Sequence, residues 1–272
     1  MGIAKPVVAE IAKGVYCINE FGMDSLFLVT GAERALLVDT GCGLADLPAF
    51  VKSLTDLPYD VALTHGHVDH AGGIFWFDRV YLNEKDYDMA RVRTTREARE
   101  GYINATRPVC EGTWDVGGVI TPDAMPEFWP LNEGDCFDLG GRKVSVYETP
   151  GHTPGGLSFL IEDERILLSG DACNNNTLLF GADGRADLEQ LLQTAKKIDA
   201  MKPRYDRNYN GHIGYGDEIV FLPMAERLTR DMIGMVEHIL AGEDCWEVRE
   251  GFMGRKVAIA ECDSCRVQFN PF

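Results

Sequence analysis

Six histidines occur in the 272-residue chain, and three of them crowd into one short run, Thr64-His65-Gly66-His67-Val68-Asp69-His70. Imidazole and carboxylate donors at this spacing suit Zn²⁺ or another borderline divalent ion. The run follows the apolar stretch 61–63. In extended backbone, side chains two apart share a face. His65, His67 and Asp69 are therefore expected to converge while His70 turns to the other side, so that one segment serves two ions. Two more histidines sit in loops after apparent strands, His152 in Pro150-Gly151-His152-Thr153-Pro154-Gly155 and His212 in Asn210-Gly211-His212. The glycine before each ring gives the backbone freedom to turn it inward. Asp171 ends the apolar run Leu167-Leu168-Ser169-Gly170-Asp171 in the same manner. Loops at strand ends are where a rigid sheet presents functional groups.

The elements that must hold these groups read as an α/β chain with two series of strands. Apolar and β-branched runs at 15–21, 25–30 and 35–39 predict an antiparallel meander, because their connections are too short for a crossover helix. Leu44, Leu47, Phe50, Val51 and Leu54 recur at helical spacing and predict a helix over 44–54, ahead of a strand at 61–63. Between about 83 and 127 the texture changes to a charged helical stretch, 84–100, and a segment with Gly and Pro, 112–126; this region reads as an insertion or lid. A second series of strands is predicted at 136–139, 143–148, 157–162 and 165–169. Helices at 188–201 and 222–241 and strands at 256–261 and 266–269 complete the chain. With no short repeat and no Pro- or Ser-rich linker, residues 1–272 are expected to form a single domain.

Charge narrows the partners. Lysine and arginine number 26 against 43 aspartates and glutamates, a net charge of −17, which repels phosphate backbones; no long nucleic acid is expected. No apolar run approaches the roughly 20 residues that span a bilayer, and Pro6, Glu10 and Gly14 interrupt any export-signal core. A cytoplasmic protein without membrane association is the expectation. Eight cysteines scattered along the chain predict free thiols. Cys262-Asp263-Ser264-Cys265 has the spacing of a zinc half-site, but no second such pair accompanies it, and Asp-Ser suits a hairpin turn. His238, inside a helical pattern, reads as a helix residue.

Taken in order, His65-x-His67-x-Asp69-His70, Gly151-His152-Thr153-Pro154-Gly155, Gly170-Asp171 and Gly211-His212 resemble the four ligand motifs of the metallo-β-lactamase superfamily, over about residues 15–215. The resemblance implies an αββα sandwich, two facing mixed β-sheets flanked by helices, with metals at one edge. It implies His65, His67 and His152 for one ion, Asp69, His70 and His212 for a second, and Asp171 between them. Asp39, in Leu37-Val38-Asp39-Thr40-Gly41, would support the ligands from behind. Asp171 stands where antibiotic-hydrolysing members typically carry Cys or Ser, so a true β-lactamase is not implied.

The implied activity is dinuclear metal-dependent hydrolysis of a small ester, thioester or lactone through a metal-bridging hydroxide, with Asp69 orienting it and exchanging protons. Glyoxalase II and the acyl-homoserine lactonases are the similar enzymes; zinc is the first choice of metal, iron and manganese the next. The tail from residue 243 is strand-rich, unlike the basic helical region with which glyoxalase II holds glutathione. Two alternatives share the motifs, a mononuclear iron persulfide dioxygenase and a small-molecule phosphodiesterase. A flavodiiron oxidoreductase would carry Glu in place of His67. Tyr215, Asn174, Asn175 and Asn176 are candidates for binding an oxyanion, on their closeness in sequence to His212 and Asp171. The oligomeric state is left open.

Overall fold

The computed structural model describes residues 6–106, 125–214 and 220–272. Strands β1 (Val7–Ala12), β2 (Val15–Glu20), β3 (Asp24–Thr30) and β4 (Ala35–Val38) form the antiparallel meander, with β1 an added member on its edge. Helix α1 (Leu47–Leu54) follows. Its N-terminus is capped by the Asp46 carboxylate, which accepts from the Ala49 amide, and Pro48 lies in its first turn, where a missing N–H costs nothing. Strand β5 (Tyr59–Ala62), the short helix α2 (Val68–Ala71) and strand β6 (Arg79–Leu82) come next. Helices α3 (Tyr87–Arg93) and α4 (Arg96–Thr106) lie before strand β7 (Glu127–Pro130). β5, β6 and β7 join β4 in parallel, giving a seven-stranded sheet in chain order.

The second sheet is built from β8 (Cys136–Asp138), β9 (Lys143–Glu148), β10 (Leu157–Ile161) and β11 (Ile166–Gly170), antiparallel throughout. Strand β12 (Asn176–Leu178), helix α5 (Gly184–Ala200) and strand β13 (Arg207–Asn210) follow, and β13 pairs in parallel with β11. After helix α6 (Leu228–Leu240) come β14 (Glu247–Glu250), β15 (Lys256–Glu261) and β16 (Arg266–Phe269). These three and β12 make a third, four-stranded sheet in the order β12-β16-β15-β14.

Successive residues of the central strands point opposite ways and both sets are buried, which is why these strands read as continuous apolar runs. Phe27, Val29 and Val38 meet Val144, Val146, Phe159 and Leu168 between the two large sheets. Leu26, Leu28 and Leu37 pack outward against Leu47 and Val51 of α1. Leu160 and Leu167, on the other outer face, pack with residues of α5, α6 and the third sheet, among them Leu188, Met232 and Phe269. The layers are helix, sheet, sheet, helix, the αββα sandwich. The third sheet, which pairs β12 with a strand almost a hundred residues later, is an addition to that plan.

Two expectations change in detail. The helical stretch 84–100 divides at Thr94, whose hydroxyl donates to the Ala90 carbonyl at 2.7 Å and ends α3. The helix expected from residue 222 starts at Leu228, because Pro223 lacks an N–H and disfavours helical backbone at Leu222. The Cys262 to Cys265 segment is a hairpin turn: the Cys262 amide donates to the Cys265 carbonyl at 2.8 Å, with unlinked sulfurs 3.5 Å apart. His238 lies in α6, paired with Glu243 at 2.7 Å. Among the described residues no helix is long and apolar enough to cross a membrane.

Candidate metal centre

Each donor singled out in the sequence lies just after a strand. The run from His65 to His70 follows β5, His152 follows β9, Asp171 follows β11 and His212 follows β13. All of them meet at one edge of the sandwich. From Val68 the backbone departs from the extended form expected of it. His67 is the N-cap of α2, and the Ala71 amide donates to the His67 carbonyl at 2.8 Å. A helical turn replaces the strand end, so His70 swings to the same centre as His65, with ring centroids 4.1 Å apart.

Three groups of donor atoms result, each with its atoms within 4.8 Å of one another: His65, His67 and His152; Asp69, His70 and His212; and His65, His70 and Asp171. His67 Nδ1 lies 3.1 Å from His65 Nε2 and 2.9 Å from His152 Nε2. Asp171 Oδ2 is 3.0 Å from His212 Nε2 and 3.4 Å from His152 Nε2, and its Oδ1 is 3.7 Å from His70 Nε2. Asp69 Oδ2 stands 3.7 Å from His212 Nε2 and 3.8 Å from His70 Nε2. His70 Nε2 and Asp171 Oδ1 are buried and make no hydrogen bond. A buried polar atom without a partner is costly. These two point at the space where a cation would satisfy both, so the donor set fits divalent metal.

The outer side of each ring decides which nitrogen faces inward. Asp39 accepts from the Thr64 amide at 2.7 Å and from the Thr64 hydroxyl at 2.8 Å, and contacts His70 Nδ1 at 2.9 Å. Because the Thr64 hydroxyl gives its proton to Asp39, it accepts from His65 Nδ1, 3.0 Å away. His152 Nδ1 donates to the Leu178 carbonyl at 2.6 Å and His212 Nδ1 to the Met23 carbonyl at 2.8 Å. A neutral ring that donates through Nδ1 turns its Nε2 lone pair inward. His65, His70, His152 and His212 are all set in this way, and His67 alone presents Nδ1.

Electrostatics divides the centre. Burial holds His65 well below the ordinary imidazole range, helped by the rings of His70 and His67, and brings His67 down to about 3. Burial acts the same way on His70 and His212, but carboxylates overcome it. Asp69, Asp171 and Asp39 lift His70 to about 9, and Asp171 with Asp69 lifts His212 to about 10. Burial would raise the two facing carboxyls, yet the adjacent His70 and His212 hold Asp69 below its usual range and Asp171 well below it.

Two supporting residues, Tyr102 and Asp86, belong to none of the sequence motifs, and Gly211, read there for backbone freedom, has a second role. Tyr102, on α4, donates its hydroxyl to Asp69 Oδ2 at 2.7 Å. Asp86, fully buried, accepts from the Gly66 amide at 3.0 Å and the Gly155 amide at 2.8 Å, tying the His65 loop to the His152 loop. Gly211 serves through size: a Cβ there would sit 2.4 Å from His70 Cε1 and 3.0 Å from Asp171 Oδ1. A Gly inside a ligand motif carries a weak signal; Asp86 and Tyr102, outside every motif, carry none. Asn174, Asn175 and Asn176 line the cavity beside the centre, although the Asn174 side chain accepts from the Asn176 amide at 2.8 Å and Asn176 accepts from Gln268. Tyr215 lies outside the described residues.

The cavity holds about 600 Å³ and runs from His67, Asp69, His152, Asp171 and His212 outward between α3, α4, the third sheet and residues 220–224. Such an edge, with five imidazoles and two carboxylates beside a cleft, defines a metallo-hydrolase. Residues 20–212 match the metallo-beta-lactamase superfamily, and the chain belongs to that superfamily. It is 28% identical over 192 residues to the acyl-coenzyme A thioesterase MBLAC2 of Bos taurus, covering 62% of this chain and 67% of that protein. It is also 28% identical over 195 residues to the atrochrysone carboxyl ACP thioesterase of Aspergillus fumigatus, covering 70% of this chain and 50% of that protein. The match thus spans about two thirds of the first relative and half of the second. Among solved structures, a metallo-beta-lactamase from Pontibacter korlensis has the same fold, with a TM-score of 0.60 at 18% identity over 86% of this chain and 99% of that one. The chain is a hydrolase of this superfamily, with side chains that can hold metal.

Proposed function

We propose that the chain is a thioesterase that uses two divalent ions, zinc first among them. The observation that carries this reading is the convergence of His65, His67, His152, Asp69, His70, His212 and Asp171 beside a mainly apolar cavity. In their names the two relatives above are thioesterases, one for coenzyme A and one for a carrier protein, and this supports a thioester as the bond cleaved. His65, His67 and His152 would hold one ion and Asp69, His70 and His212 the other, with Asp171 between. When bound, such ions polarise an acyl carbonyl and supply a water acidic enough to attack near neutral pH.

The remaining work falls to the protein. Asp69 stands at the inner end of the cavity with one oxygen held by Tyr102, so its rotamer is set before substrate arrives. Kept ionised by His70 and His212, it can accept the proton of the attacking water and return it to the departing sulfur. Asp39 keeps His65 and His70 in the tautomer that a metal needs. The test is a panel of thioesters, lactones and phosphodiesters assayed with zinc-, manganese- and iron-loaded protein before and after chelation. Thioester cleavage that disappears on chelation and returns with divalent metal is expected. Cleavage that survives complete metal removal, or a single iron with oxygen uptake on a persulfide and no thioester turnover, would overturn the proposal.

A further inference from the structure

Two arginines stand out on the cavity wall. In a chain of net charge −17, cations are generally paired: Arg91 with Asp88, Arg96 with Glu100, Arg249 with Glu247 and Glu261, Arg266 with Glu261. Arg93 and Arg255 are exposed, line the cavity, and have no carboxylate within 4.0 Å among the described residues. Both are placed by the scaffold. Arg93 ends α3, which lies so close to the ligand loop that a Cβ on Gly66 would sit only 3.0 Å from the Ala90 nitrogen. Arg255 precedes β15, and its guanidinium carbon lies 5.3 Å from the centre of the Phe180 ring. Phe180 in turn packs edge-on against His67 and His152, at 5.5 and 5.6 Å. The charge of Arg255 is therefore one aromatic ring away from the donor cluster.

The apolar surface of the cavity is equally uneven. Phe180, Val220, Leu222 and Met253 are 37, 49, 67 and 55% exposed, and all four line this cavity. Large apolar side chains kept wet in one place mark a surface that a ligand covers. An unpaired guanidinium at the same mouth selects for carboxylate or phosphate, which its planar fork can hold with two hydrogen bonds.

We propose that Arg93 and Arg255 form an anion-binding rim and that the substrate is an amphipathic thioester, with a medium or long apolar acyl chain and an anionic group away from the scissile carbonyl. This rests on the thioesterase reading for the bond cleaved, while the rim itself is a binding property that can be measured without turnover. The anion can sit on the thiol half, as a phosphate, or at the far end of the acyl half, as a carboxylate, and the assay separates the two.

Zinc-loaded protein is assayed on octanoyl thioesters of neutral N-acetylcysteamine and of phosphate-bearing coenzyme A, and on the N-acetylcysteamine thioester of a C8 dicarboxylic acid. In R93Q/R255Q, the ratio of kcat/KM for an anionic over the neutral substrate falls about tenfold or more, the loss expected for a charge-assisted contact. R93K/R255K recovers part of it. Lys256→Gln, a neighbouring exposed cation outside the cavity wall, leaves the ratio unchanged. Whichever anionic substrate responds locates the charge. In parallel, calorimetry compares octyl phosphate with octanol as ligands. Octyl phosphate is expected to bind more tightly, and the double substitution to remove about tenfold of that preference. If no thioester is cleaved but octyl phosphate binding still depends on the two arginines, the thioesterase reading fails and the rim stands. If the double variant leaves both the substrate ratio and octyl phosphate binding unchanged, the rim is refuted whatever the bond cleaved.

Discussion

Asp39→Asn tests how the ligands are oriented without changing side-chain volume. Asp39 is almost fully buried and acts only as an acceptor, for the Thr64 amide, the Thr64 hydroxyl and His70 Nδ1. Asn keeps one acceptor, which the Thr64 amide will take, and places an NH₂ where Oδ2 was. That NH₂ cannot accept from Thr64 or from His70. The Thr64 hydroxyl must then accept and turn its own proton to His65 Nδ1, and His70 must present a bare Nδ1. Both rings shift to the tautomer with hydrogen on Nε2, the atom that faces the centre. Losing one such outer partner typically costs ten- to a hundredfold in metal affinity, and two rings are affected here. A loss on the order of a hundredfold or more is expected.

The chelated protein loses stability as well. Lifting His70 from 6.5 to about 9 is worth roughly 3 kcal/mol. Three carboxylates share that effect, so the portion from Asp39 is roughly 1 kcal/mol, and the two altered hydrogen bonds add about 1 kcal/mol each. Urea unfolding of chelated protein should therefore show a loss of about 2–3 kcal/mol at pH 7, and a competitive metal titration the larger change in affinity. If D39N bound zinc within twofold of the parent, Asp39 would not be what sets the His65 and His70 tautomers.

Metal uptake at pH 7 should release about two protons, from His70 and His212, as measured by calorimetry in buffers of different ionisation enthalpy. Release should fade, and affinity improve, as pH rises through 9 to 10. The chelated protein should behave in the opposite sense: stability from the two raised imidazoles is complete below about pH 6.5 and is lost through the same window, while that from Asp69 and Asp171 is lost in acid below their ordinary 3.8. Tyr102→Phe keeps the ring but frees Asp69 Oδ2, so kcat should fall about tenfold with melting temperature little altered; an unchanged kcat would remove Tyr102 from the account. Gly211→Ala forces a methyl into His70 and Asp171 and should weaken metal binding and lower stability by about 1–3 kcal/mol, read by metal titration and thermal unfolding.

The parts of the fold legible in the sequence are those where local pattern and burial agree. The 25–30 run is apolar because both sheet faces are covered, 143–148 alternates because only Val144 and Val146 are fully buried, and 256–261 and 266–269 are bounded by a turn that Asp263-Ser264 makes plain. Strands carried by the partner and not by composition were given no bounds. β13 is Arg-Asn-Tyr-Asn, and its last three residues are buried only because β11 lies beside it. β7 ends in Pro130 and begins where the apparent insertion stops, yet it pairs with β6. At the centre, the His and Asp that converge into the three groups all lie in those motifs, because ligand chemistry restricts residue type. Tyr102 and Asp86 act through hydrogen bonds between loops distant in sequence, and any of several residue types can fill such roles, so no local pattern announces them. The helical turn at α2 was missed because alternation was carried past His67, where the chain had already begun to wind.

Metal stoichiometry of the purified protein, measured by elemental analysis alongside thioester turnover, tests the central claim most directly. Two divalent ions per chain are expected at saturation, about one after His152→Ala removes a residue of the first group alone, and thioesterase activity should rise as the second ion fills. A chain that takes up no ion at saturating concentration, or turns over thioesters equally well when stripped of metal, would contradict it.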